Sequence, residues 1–151
     1  MKVLLDTKAD FFLPMIPPTV TDQQHRIVAR EGKRPLVFDS DELAAAKDML
    51  KAHLARQMMS LRAGGYRTIS GVPVRLVVMW CFPADGKHMN GEYRITKPDT
   101  DNLNKALKDI MTKLGYWQDD ALVASEICEK LWADVPGLFV KIQTVSYAFE
   151  N

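Results

Sequence analysis

Residues 97–120 read KPDTDNLNKALKDIMTKLGYWQDD, and the arrangement of the whole chain turns on this stretch. From Leu103 the apolar residues recur as Leu103, Ala106, Leu107, Ile110, Met111 and Leu114, the spacing of one face of a helix. Pro98 and Asp99 stand where helices begin, and Gly115 stands where a left-handed cap ends them. The spacing predicts an amphipathic helix over about 101–114, with Asp99 and Asp101 at its start and Asp119 and Asp120 beyond its end.

A helix start is satisfied by one acidic cap. Here Asp99 and Asp101 both occur, Lys105 follows four residues after Asp101 on the same side, and Asp119 and Asp120 come directly after the Gly115-Tyr116-Trp117 turn. Hard divalent cations take oxygen ligands, and Mg2+ is held by a few carboxylates while it keeps waters and binds phosphate. Such ions assist in-line phosphoryl displacement, and a nearby lysine offsets the charge that develops on the phosphate. The surplus carboxylates therefore point to a metal site. An EF-hand is excluded, since Leu103 falls where an oxygen ligand belongs and Asn104 where the loop needs glycine.

The run Pro98-Asp99-Thr100-Asp101-Asn102-Leu103-Asn104-Lys105-Ala106, followed by Asp109, Gly115, Trp117, Asp119 and Asp120, closely resembles the RusA family of Holliday junction resolvases. These are small homodimeric, Mg2+-dependent endonucleases of bacteria and their phages. The resemblance implies Asp99, Asp101 and Asp120 as catalytic metal ligands, Lys105 as an essential basic partner and Asp119 as a supporting carboxylate. It also implies Mg2+ as cofactor, with Mn2+ as its substitute, four-way junction DNA as substrate, a homodimer, and a cytoplasmic setting.

Chain length constrains how such a site closes. A helix over 101–114 puts its far end roughly 20 Å from the first aspartate pair. The six steps from Leu114 to Asp120 span at most ~20 Å. Asp120 reaches the pair in its own chain only if Gly115 reverses direction and the next residues run straight back. That route is expected; a site shared across a dimer is the alternative.

The 151 residues, 47% hydrophobic and 26% charged, fit one ordinary globular domain over 1–151. Cys81 and Cys128 lie in apolar runs without zinc spacing and are expected to be free thiols. Neither a secretory signal nor an apolar run near 18 residues is found, so neither export nor a membrane partner is expected. The net charge of +1 is modest for a protein that handles DNA, but bases cluster in 22–34 and 47–67 while acids gather from Asp99 onward.

In chain order, 10–13 reads as a short strand stopped by Pro14, and Pro17-Pro18 forces an extended turn. Residues 20–38 read as a loop or loose hairpin with arms at 25–28 and 35–38, and its tip carries the candidate DNA contacts Lys33 and Arg34. Asp39 with Glu42 resembles a capping box, ahead of a helix over about 40–62 that buries Leu43, Ala46, Leu50, Leu54, Met58 and Leu61. Met49, Met58 and Met59 read as core filler. Residues 72–82 are almost continuously apolar, as in a strand buried on both faces or nearly so. Residues 83–97 read as a mobile, substrate-contacting loop through Lys87, Arg94 and Lys97. Strands over 122–132 and 138–147 close the chain, the second expected antiparallel to the first.

The resulting order, β-α-β-α-β-β with a hairpin or loop inserted near the N-terminus, defines an α+β sandwich: a mixed sheet covered by two helices. The function expected is a structure-selective endodeoxyribonuclease that makes paired nicks in four-way junctions. Another metal-dependent phosphoryl hydrolase, or a non-catalytic DNA-binding module whose aspartates point apart, are the competing readings.

Overall fold

The computed structural model describes residues 1–20, 25–28, 30–34 and 36–150, with 25–28 and 36–39 described by their backbone alone. In order come β1 (Lys2–Pro14), β2 (His25–Val28), β3 (Leu36–Asp39), α1 (Asp41–Ala63), β4 (Val74–Pro83), α2 (Thr100–Lys113), a 3-10 turn (Asp120–Leu122), β5 (Val123–Ala133) and β6 (Gly137–Ala148). This is the order expected, and β2 and β3 form the inserted antiparallel hairpin. Of the arms expected for it, Pro35 lies outside the described residues. β1 starts eight residues earlier than its apolar run announced, because Lys2, Asp6 and Lys8 interrupt a segment exposed over Lys2–Lys8.

The cap of α1 is Ser40 and not Asp39: the Leu43 N–H donates to Ser40 Oγ at 3.1 Å. Leu43, Leu50, Leu54 and Met58 form the buried stripe of α1. Met59 is 75% exposed, since one further residue turns the side chain about 100° away from Met58.

The main sheet has the order β1-β6-β4-β5. β4 is antiparallel to β6 and parallel to β5, and β6 is antiparallel to β1. β6 does run opposite to its predecessor β5, yet the two do not pair, because β4 lies between them. The parallel β4–β5 pair requires a crossover, and α2 is that crossover. β4 is fully buried on one face only, and the other is partly covered. Val74, Leu76, Val78, Trp80 and Phe82 are buried, while Arg75, Val77, Met79 and Cys81 are half-buried. Residues of α1 and α2 meet on the Trp80 side of the sheet.

α2 ends in a Schellman cap. Gly115 takes φ +83°, its N–H donates to Thr112 O at 3.1 Å, and the Tyr116 N–H donates to Met111 O at 3.0 Å. The reversal delivers Tyr116 and Trp117 into the core. There Tyr116 OH donates to Leu54 O at 2.7 Å, Tyr66 OH donates to Tyr116 O at 2.7 Å, and Trp117 Nε1 donates to Thr112 Oγ1 at 2.8 Å. At the other end of the sheet Gly137 sits against β1, where a Cβ would lie 2.2 Å from Phe12 Cζ and 2.6 Å from Leu13 O.

Gly137→Ala is expected to cost about 1–3 kcal/mol through overpacking against Leu13 O, read as a lower midpoint in chemical denaturation. Burial raises the pKa of the Tyr66 and Tyr116 phenols well above their ordinary 10.0. Their contribution to stability is therefore intact below pH 10 and is lost as pH rises from there, since the unfolded chain releases these protons first. Denaturation midpoints should fall as pH rises above about 10, with a shallower fall in Tyr66→Phe.

Candidate active site

α2 begins beside the C-terminal end of β5. Lys130 Nζ of β5 donates to Thr96 O at 2.8 Å and Pro98 O at 2.7 Å, so one lysine holds the approach to the helix. Burial lowers the pKa of that ammonium, and Asp99 nearby opposes the shift. Asp99 occupies the N-cap position, yet its side chain makes no cap hydrogen bond. Its Oδ2 instead accepts from Lys97 Nζ at 2.8 Å in an exposed pair. Asp101 is exposed in the first turn and Lys105 is exposed one turn later.

Asp101 and Lys105 line an open groove of about 300 Å3 together with Thr100, Asn104, Lys108, Glu126 and Cys128. Asn104 is the buried polar residue of this wall, at 2% exposure. Trp80 Nε1 donates to Asn104 Oδ1 at 3.2 Å, and Cys128 Sγ lies 3.2 Å from the same oxygen. Burial pushes the Cys128 thiol up to about 12, so it serves here as a neutral donor. Asn104 Nδ2 donates to Glu126 Oε2 at 3.3 Å, and Lys108 Nζ pairs with Glu126 Oε1.

The sequence assigns no site role to Asn104, Lys108, Glu126 or Cys128, although Cys128 is a free thiol as expected. Two signals pointed to them. Asn104 interrupts the inward arc that carries Leu103 and Leu107, and strand alternation puts Glu126, Cys128, Lys130 and Trp132 on one face of β5.

Asp119 caps the 3-10 turn, with Oδ1 accepting the Ala121 N–H at 2.9 Å, and Asp120 opens that turn; both are exposed. The turn packs against α2, and neither residue lines the groove of Asp101 and Lys105. Gly115 does reverse the chain, but the reversal is spent on seating Tyr116 and Trp117. The Gln118 N–H then donates to Ile69 O at 2.8 Å, which leads the chain along residue 69. Among the described residues no three His, Cys, Asp or Glu side chains are gathered closely enough to hold a metal ion. The in-chain convergence of Asp99, Asp101 and Asp120 expected from chain length is therefore not what the single chain presents.

The expected mobile loop over 83–97 is instead laid along the outer edge of β5. The Gly91 N–H donates to Trp132 O at 2.7 Å, the Trp132 N–H to Glu92 O at 2.8 Å, and the Arg94 N–H to Lys130 O at 2.9 Å. An edge strand offers unpaired backbone groups, and this segment satisfies them. Arg94 lies 4.2 Å over the Phe82 ring and 4.8 Å over the Trp132 ring, and its Nη2 donates to Lys97 O at 2.6 Å. His88 stacks on Trp132 at 4.6 Å. Arg94 is thus a built-in brace, while Lys97 pairs with Asp99 and Lys87 is exposed. Lys33 and Arg34 are exposed at the hairpin tip, where the Arg30 guanidinium donates to Arg34 O at 2.8 Å.

The helix start thus carries Asp99 and the exposed Asp101, with Lys105 one turn on, and Asp101 and Lys105 line the open groove. The chain belongs to the RusA endodeoxyribonuclease family: residues 16–143 match the family described as Endodeoxyribonuclease RusA. A relative from Lactococcus phage r1t, named crossover junction endodeoxyribonuclease rusA, is 38% identical over 52 residues, which is 34% of this chain. The match spans 40% of the phage protein's own length. Among the described residues no helix is long and apolar enough to cross a membrane.

Proposed function

We propose that this protein is a structure-selective endodeoxyribonuclease that resolves four-way DNA junctions by Mg2+-dependent phosphodiester hydrolysis, with Mn2+ able to replace Mg2+. The observation that supports it best is the state of Asp99. It stands at the cap of α2 but leaves the cap bond unmade, beside the exposed Asp101 and with Lys105 a turn away. Carboxylates committed to capping would be engaged by backbone N–H groups; Asp99 is engaged instead by the exposed Lys97 ammonium, a partner that a cation can replace.

Exposed carboxylate oxygens match the preference of a hard divalent cation, and Asp99, Asp101 and Asp120 would hold it with Asp119 in support. Such an ion supplies an activated water and offsets charge on the phosphoryl oxygens. Lys105 offers a further cation to the phosphate from the same side of α2 as Asp101. Lys33, Arg34, Lys87 and Lys97 offer charge to the DNA arms, and Arg94 braces the loop that carries two of them. The protein works as a homodimer in the cytoplasm of a bacterium, from a bacterial or phage gene, and its two-fold symmetry matches that of a junction cut by paired nicks. Since a single chain leaves Asp120 outside the groove, Asp120 of a second copy completes each site.

With Mg2+ and a labelled four-way junction beside linear duplex, the protein should cut the junction selectively. Asp99→Asn and Asp101→Asn should each lower cutting by at least ~100-fold while binding persists; undiminished cutting by both would overturn the nuclease reading. Lys105→Ala should depress cutting far more than affinity. Mixing Asp101→Asn and Asp120→Asn subunits should restore nicking, because one site of each mixed dimer then carries a full set of carboxylates. If every site is built within one chain, the mixture stays inactive.

A further inference from the structure

We infer that Lys108 and Asn104 form a phosphate-binding subsite of the groove, which the Glu126 carboxylate of the same chain fills until a DNA phosphate displaces it. The inference rests on the reading that the groove receives DNA, and it assigns a role to residues outside the aspartate motif.

The donors are set before any ligand arrives. Asn104 Oδ1 faces both Trp80 Nε1 and Cys128 Sγ, each at 3.2 Å. With its oxygen occupied twice, the amide must turn Nδ2 towards the groove wall, where it needs an acceptor. The side chain is 2% exposed, so leaving that N–H without one is costly. Asp101, Lys105 and Lys108 follow at i, i+4 and i+7, one stripe of α2 along the same groove. Lys108 and Asn104 thus aim two donors, one charged, at a single point.

What stands at that point is an oxyanion. Glu126 Oε1 accepts from Lys108 Nζ and Oε2 accepts from Asn104 Nδ2 at 3.3 Å. A carboxylate and a phosphodiester present the same kind of paired acceptor oxygens to a lysine and an amide. The Lys108 and Glu126 side chains are 24% and 32% exposed, so the pair is reachable from the groove. A pair this open adds little to folding, which leaves its position in the groove as its main consequence. Glu126 also acts as a filter. A phosphate must evict it before Lys108 is available, so a backbone that only grazes the surface gains nothing from this lysine. A strand pressed into the groove by its fit to the rest of the site does gain it.

The test is the affinity of the full-length protein for a four-way junction and for linear duplex of the same sequence, without divalent metal, over a series of NaCl concentrations. Glu126→Gln keeps the shape and leaves an oxygen to accept from Asn104, but frees Lys108. It should tighten duplex binding roughly fivefold, narrow the preference for the junction, and steepen the slope of log K against log[salt] by about one. In a Lys108→Met background the same substitution should change affinity and slope far less. If Glu126→Gln leaves the salt slope unaltered, or if its gain survives in Lys108→Met, Glu126 is not competing for that lysine and the subsite is overturned. A wild-type protein that cuts junctions but fails this test refutes the subsite alone; one that neither cuts nor binds DNA refutes both readings.

Discussion

The constraint on which the structure depends is the parallel pairing of β4 with β5. Adjacent parallel strands cannot be joined by a tight turn, so the chain must leave the end of β4, cross one face of the sheet and start again. α2 makes that crossing, and its start falls beside the C-terminal end of β5, where ligands gather in sheets of this kind. Asp99, Asp101 and Lys105 are thereby placed at the rim without any special device. Leu103, Leu107, Ile110 and Met111 hold the helix down, and Trp80 fixes its rotation through the buried Asn104.

That bond between Trp80 and Asn104 joins the most buried strand to the groove. A buried amide is tolerated only when its polar atoms have partners. Here the partners come from β4, from β5 and from the groove carboxylate, so the polar wall is continuous with the core and inherits its rigidity. The segment over 83–97 attaches differently, through backbone bonds and aromatic stacking around Trp132.

Most of the architecture was legible in the residues because periodicity reports which face of an element is buried. The inward residues of α2 and the element order were readable in this way. Three features were not. The β5–β4–β6 arrangement was hidden, since a short Asp134–Pro136 link reads as a hairpin turn while the chain steps across β4. The half-exposed face of β4 was hidden because Val77, Met79 and Cys81 are as apolar as their buried neighbours. The fastening of the 83–97 segment to β5 was hidden because turn formers report local shape and not what the shape is fastened to. At the site, Asp99, Asp101 and Lys105 stood out as charges in excess of structural need. Glu126 did not, because its meaning lies in the register that sets it opposite Asn104 and Lys108.

The place of β6 also governs how the molecule is born. Of the four strands of this sheet it comes last in the chain, yet it sits between β1, which comes first, and β4, with Lys2 aligned to Ala148. During translation β1 has no strand of this sheet to zip against, and β4 has one edge bare, until β6 has been made. The sheet therefore closes late and through long-range contacts, the kind of topology that folds slowly.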